Sequence, residues 1–140
     1  MMSPTEGIQI MADLFDCQTD LQLLQQFEPV RLACIEAVQA VGLSMVGDRF
    51  HQFEPVGVTG VILLAESHVA IHTWPEHRFV SLDIYVCHFS ADNSAKAEQL
   101  LQDLIQLFDS KQPNIYRQVR GRPAAVGAQI QSADPKLPPQ

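Results

Sequence analysis

Apolar positions along the first half of the chain change period twice. Residues 8–15 (IQIMADLF) form an apolar-rich run closed by the polar turn of Asp16, Gln18, Thr19 and Asp20, and read as a first strand. Phe27, Val30, Cys34, Val38 and Val41 then recur at steps of three and four, the period of one helix face. Pro29 suits the first turn of that helix and Gly42 its end, so the spacing predicts a helix over 28–42. From 43 to 87 the pattern shortens into β-rich runs at 43–53, 58–65, 68–74 and 79–87. They are separated by Glu54-Pro55-Val56-Gly57, Glu66-Ser67 and Pro75-Glu76-His77-Arg78, connections short enough to favour antiparallel neighbours. Ala97, Leu100, Leu101, Leu104, Leu107 and Phe108 form the stripe of a second helix, with Asp92 or Asn93 in position to cap it. Residues 114–120 (NIYRQVR) alternate like a closing strand, and the Pro, Gly, Ala and Gln content beyond Gly121 predicts a poorly ordered tail over 122–140.

Strand, helix, four strands, helix, strand is the order of an α+β domain, a two-layer sandwich in which an antiparallel sheet carries two main helices on one face. A single domain over residues 1–121 is expected. The other sheet face is left uncovered, which suits a second copy and predicts a homodimer.

Composition narrows the classes. At 140 residues the chain can bury a core without disulfides. Its net charge of −7 argues against nucleic acid and favours a small cationic ligand. The start MMSPTEGIQIMADLF has no basic segment followed by a long apolar core, and no apolar run approaches the roughly 18 residues of a membrane span, so a soluble, cytoplasmic protein without a membrane partner is expected. Cys17, Cys34 and Cys87 are an odd set with no C-x-x-C spacing and signal neither a disulfide framework nor a zinc site.

The candidate chemistry lies in LLAESHVAIHTWPE, residues 63–76, where an apolar run ends in Glu66-Ser67-His68 instead of Gly or Asn. His68 and His72 have the spacing of two metal ligands on a helix, but β-branched Val69, Ile71 and Thr73 and the nearby Pro75 make this a strand. Four strand residues span about 13 Å, too far for both to bind one ion. On a strand His68, Ala70, His72 and Trp74 share a face, as do Asp83, Tyr85 and Cys87 on the next, and an antiparallel pairing, whose register the sequence leaves open, could bring His72 and Cys87 toward one pocket. Taken alone, each is more often a satisfied histidine or a buried thiol. Ser67 lacks the G-x-S-x-G elbow of a hydrolase nucleophile.

AESHVAIHTWPE, preceded by FEPVGVTG and followed by a strand ending in Cys87, resembles the bacterial and archaeal S-adenosylmethionine decarboxylases, small pyruvoyl enzymes of polyamine synthesis. The similarity is strongest from Phe53 to Cys87 and extends by element order to about Arg120. It implies that the chain cuts itself between Glu66 and Ser67 into a β chain (1–66) and an α chain (67–140), converting Ser67 into a pyruvoyl group that condenses with the substrate amine as a Schiff base. It further implies that His72 transfers protons during processing with support from Thr59, and that Cys87 is the general acid of decarboxylation. Phe53 and Trp74 would sandwich adenine, and Glu76 would accept hydrogen bonds from ribose. The product would be the aminopropyl donor of spermidine biosynthesis.

Elementary chemistry agrees with what the resemblance implies. Decarboxylating an amino acid needs an electron sink. Pyridoxal phosphate would need a Schiff-base lysine, and Lys96, Lys111 and Lys136, the only lysines, fall away from the His-rich strands in the sequence. A ketone made from the chain's own serine supplies the sink without a metal or pyridoxal phosphate. The chain also departs from the family: His77-Arg78-Phe79-Val80-Ser81 stands where relatives typically have Tyr-Gly-Tyr-Ala-Ala, and His88 where Gly is usual. Arg78 beside Glu76 either pairs with it or turns away. These departures bear on the substrate, with arginine or ornithine as the alternatives; a non-catalytic binding or regulatory homologue is the reading from another class.

Overall fold

The computed structural model describes residues 4–88 and 91–123. Strands β1 (Gly7–Cys17), β2 (Met45–Gln52), β3 (Val58–Leu64), β4 (Ser67–Trp74), β5 (Phe79–Cys87) and β6 (Ser110–Arg120) form one antiparallel sheet in the order β2-β3-β4-β5-β1-β6. Helices α2 (Phe27–Ala40) and α3 (Ser94–Phe108) cover one face, and a four-residue turn of helix, α1 (Gln22–Gln25), precedes α2. The α+β two-layer sandwich expected from the element order is the observed fold. No helix among the described residues is long and apolar enough to cross a membrane.

Alternation decides which side is the core. Ile10, Ala12 and Leu14 of β1, Val58, Ile62 and Leu64 of β3, Val69 and Ile71 of β4, and Val80, Leu82, Ile84 and Val86 of β5 are buried under the helices. Val30, Cys34 and Val38 of α2 and Ala97, Leu100, Leu101, Leu104 and Phe108 of α3 meet them, so the stripes read from the sequence are the core-facing stripes. Burial pushes the Cys34 thiol up to about 12 and, with help from Asp16, the Cys17 thiol up to about 11; both stay protonated at neutral pH. Gly60 is required by packing, because a Cβ there would sit 2.1 Å from the Phe50 ring. Gly42, at φ 81, ends α2 in the left-handed conformation expected of it.

The largest differences from the expected elements are at β6 and α1. The closing strand begins at Ser110 and not at 114, pairing through Pro113, which lies opposite Leu14. As an edge strand β6 tolerates a residue with no N–H to donate. α1 is too short to leave a periodic signal. At the start of α3 the Asp92 carboxylate accepts a bond from the Ser94 N–H (2.9 Å), while Asn93, in the N-cap position, does not cap. The expected tail over 122–140 lies, from 124 onward, outside the described residues.

Candidate active site

Two connections fix the geometry. Leu64 pairs with Ser67, so Ala65 and Glu66 alone form the turn between β3 and β4. Such two-residue turns usually carry Gly, Asn or Asp. Here the turn is held from outside: the Ala65 N–H donates to the Ser44 carbonyl (2.8 Å), and the Glu66 carbonyl accepts the Cys87 N–H (3.0 Å). At the other end of β4, a single 3₁₀ turn (Pro75–His77) and Arg78 return the chain so that Trp74 pairs with Phe79. That register carries down the pair and sets His72 opposite Ser81, Ser67 opposite Val86, and Cys87 beside Glu66.

The expected site residues therefore form two groups. Phe53, Thr59, His72, Trp74 and Glu76 line one cavity of about 220 Å³, together with Val56, Gly57 and Thr73. Buried Thr73 builds its floor: its hydroxyl donates to the Leu24 carbonyl (2.6 Å) and accepts the Val58 N–H (2.9 Å), locking β3 and β4 to the end of α1. The Gln52 carboxamide donates to the carbonyls of Gln25, Phe53 and Gly57, holding the β2–β3 loop that carries Phe53. Gly57, at φ 113, lets that loop close with a bond from the Phe53 N–H to its own carbonyl (2.8 Å). Phe53 and Trp74 stand at the rim, 48% and 40% exposed, a flat apolar pair open to a ligand. Thr59 Oγ1 lies 3.1 Å from His72 Nδ1, which fixes the ring by that nitrogen.

Glu66, Ser67 and Cys87 form the second group at the hairpin tip. The expectation that His72 and Cys87 converge on one pocket within a chain is corrected by the register. They share the open sheet face, but Cys87 lies six residues along β5 from the partner of His72, about 20 Å. Ser67 and His72, five residues apart on β4, are separated by about 16 Å.

Other residues are clarified by their partners. Arg78 donates through Nη1 to the carbonyls of Cys17 (2.8 Å) and Thr19 (3.2 Å), bracing the end of β1. Lys96 is nearer the chemistry than its sequence position suggests: it lines a cavity of about 100 Å³ with Glu66 and Asn93, its ammonium bonded to the Gly42 carbonyl (3.2 Å). Tyr85 stands beside Cys87, and the neighbouring thiol, with some burial, holds its phenol above the ordinary value. Alternation along β5 already put Tyr85 and Cys87 on one face, the signal that could have found this contact. Asn93 and His88 are the other unanticipated residues here. The Asn93 carboxamide donates to the Glu66 carboxylate (2.9 Å) and the Cys87 carbonyl (2.8 Å). His88 accepts the Asn93 N–H at Nδ1 (3.1 Å) and bonds Ser94 Oγ through Nε2 (3.2 Å).

Known proteins resemble this chain. A model of the S-adenosylmethionine decarboxylase family matches residues 8–121. The S-adenosylmethionine decarboxylase proenzyme of Persephonella marina is 48% identical over 86 residues, a stretch covering 61% of this chain and 63% of the relative. The proenzyme of the same name from Aquifex aeolicus is 35% identical over 97% of this chain and 95% of its own length. The crystal structure of the adenosylmethionine decarboxylase from Aquifex aeolicus superposes with a TM-score of 0.72 at 33% identity, covering 92% of this chain and all of that one.

Proposed function

This chain belongs to the S-adenosylmethionine decarboxylase family, and from that premise we propose that it cuts itself at Glu66–Ser67 and then decarboxylates S-adenosylmethionine. The observation that carries the reading is the bond from the Cys87 N–H to the Glu66 carbonyl, the carbonyl of the peptide bond to be cut, at the tip of a two-residue hairpin. A donor held on that oxygen withdraws electron density from the carbon and stabilises the negative charge that develops under attack. Ser67 Oγ adds to the Glu66 carbon, the C–N bond to Ser67 breaks, and an ester with a freed amine results. Loss of the Ser67 α-proton then breaks the Cβ–Oγ bond, releasing Glu66 as a new carboxylate and leaving a dehydroalanine, which water converts to pyruvoyl with loss of ammonia. A keto group at position 67 would supply the electron sink that decarboxylation of a substrate amino acid needs, by condensing with its amine.

The remaining roles follow from position. The Cys87 thiol, half-exposed beside the hairpin tip where the keto group would stand, is the acid that returns a proton to the substrate carbon. His72, oriented by Thr59, moves the proton of the serine hydroxyl during processing. Phe53 and Trp74 offer flat faces to a purine and a sulfonium cation, and Glu76 lies in the same cavity to accept ribose hydroxyls. Arg78 is engaged at the end of β1, which supports the nucleoside over a simple basic amino acid as the ligand of this cavity.

The separation of the two groups supports a homodimer with shared sites. The cavity of about 220 Å³ is smaller than the several hundred Å³ usual for a ligand of this size and lies about 16 Å from Ser67. A two-fold axis running across the strands, with the two open sheet faces laid together, would bring opposite ends of the two sheets into register. Phe53, Thr59, His72, Trp74 and Glu76 of one protomer then complete the Glu66, Ser67 and Cys87 group of its partner.

Two measurements test the function. The denatured mass of the purified protein is expected to show two chains split after Glu66, the second blocked at its N-terminus; a persistent single chain would sink the reading. Trp74→Ala is expected to raise the KM for S-adenosylmethionine at least tenfold with a smaller change in kcat, by loss of stacking and cation–π attraction. An unchanged KM, or turnover of arginine or ornithine in preference to the nucleoside, moves the substrate to a basic amino acid.

A further inference from the structure

Asn93 holds a position whose usual task it does not perform. It is the N-cap of α3, where an asparagine side chain ordinarily accepts a backbone N–H and contributes about 1 kcal/mol. Asp92 takes that bond instead. The Asn93 carboxamide, on a residue only 7% exposed, turns inward and gives both its protons away, one to Glu66 Oε2 and one to the Cys87 carbonyl.

These bonds form a closed ring with the bond at the site of cleavage. Cys87 is held at both ends, its N–H on the Glu66 carbonyl and its own carbonyl on Asn93. Glu66 is likewise held twice, by its main-chain carbonyl and by its side-chain carboxylate. Asn93 in turn is anchored through its main-chain N–H to His88 Nδ1, and the His88 ring, its side chain 5% exposed, is fixed at Nε2 by Ser94.

We propose that Asn93 is a positioning residue for self-cleavage: it fixes Glu66 and the Cys87 peptide against each other, so that the scissile carbonyl is kept on its N–H donor while Ser67 attacks. This inference rests on the self-processing reading above. Its physical basis is preorganisation, since a donor contributes most when it need not be found at the moment charge develops. After cleavage the same contacts retain the new carboxylate of Glu66 at the site.

The test uses the full chain, freshly synthesised, with the cut fraction followed in time on denaturing gels. Asn93→Ala is expected to slow cleavage roughly tenfold or more, the loss expected when a buried charge-assisted bond is removed. Asn93→Asp keeps the shape but sets a carboxylate against that of Glu66. Its cleavage is expected to be slow near about pH 8 and to recover toward about pH 5, where the pair can share a proton. The double variant Glu66→Gln/Asn93→Asp restores a donor and an acceptor and is expected to regain much of the rate at about pH 8. A purely structural role would lower the melting temperature of each variant without giving the Asp variant a new acid-side gain or a rescue by the exchanged pair. If the wild type is cut and all three variants are cut equally fast with its pH profile, the positioning role is overturned and the self-processing reading stands. A wild type that stays whole overturns both.

Discussion

Ser67→Ala yields one uncut chain of about 15.6 kDa with no decarboxylase activity, and a sheet as well formed as that of the wild type. The two losses have one cause. Without a hydroxyl on Cβ there is no nucleophile to take the Glu66 acyl group, and without the resulting ester nothing can be eliminated to give a keto group. The fold is spared because the pairing of Ser67 with Leu64 and Val86 is made by the main chain, which alanine preserves. The bond from the Cys87 N–H to the Glu66 carbonyl also survives, so the variant holds the uncut bond in its reactive setting. Denatured mass, circular dichroism and release of labelled carbon dioxide report the three expectations separately. An alanine variant still cut after Glu66 would move the nucleophile elsewhere, and an uncut variant with full activity would remove the keto group from the mechanism.

The parts of this site legible in the sequence were those set by residue type, and the parts that were not were set by register and by side-chain direction. Alternation put His72 and Trp74 on one face and Tyr85 and Cys87 on another of the same side, and the structure keeps both. Where along the strand they meet was also within reach. A turn of four residues from Pro75 to Arg78 pairs Trp74 with Phe79, and counting back along both strands from that pair brings Cys87 to Glu66 and leaves His72 opposite Ser81. The expected convergence of His72 and Cys87 came from parity without that count. Asn93 is a different case. Asp-Asn-Ser ahead of an apolar stripe reads as a helix start, and it is one, but nothing periodic records that the second of these side chains turns inward to Glu66 while the first does the capping. The closing strand starts four residues before the alternating stretch 114–120 and pairs through Pro113, which an edge strand tolerates because one of its sides faces solvent.

Two variants that are each inactive are expected to restore activity when combined in one dimer. Cys87→Ala removes the acid from the hairpin-tip group, and Trp74→Ala/Glu76→Ala disables the cavity, about 16 Å or more away in the same chain. Alanine at position 87 keeps the main-chain N–H that holds the Glu66 carbonyl, and neither Trp74 nor Glu76 supplies the serine hydroxyl, so both variants are expected to process. Each homodimer carries a lesion in both sites and is expected to fall by about 100-fold or more, the scale of a lost general acid or of a lost binding surface. In a heterodimer isolated through two different tags, the two lesions gather in one site and the other site is intact, giving about half the wild-type activity per dimer. A site made within a single chain predicts the opposite, because every site in the heterodimer would then carry one lesion and no activity could return. The cross therefore separates the two arrangements by a factor of about 50 when the mixed species, selected by its two tags, is assayed before its subunits exchange.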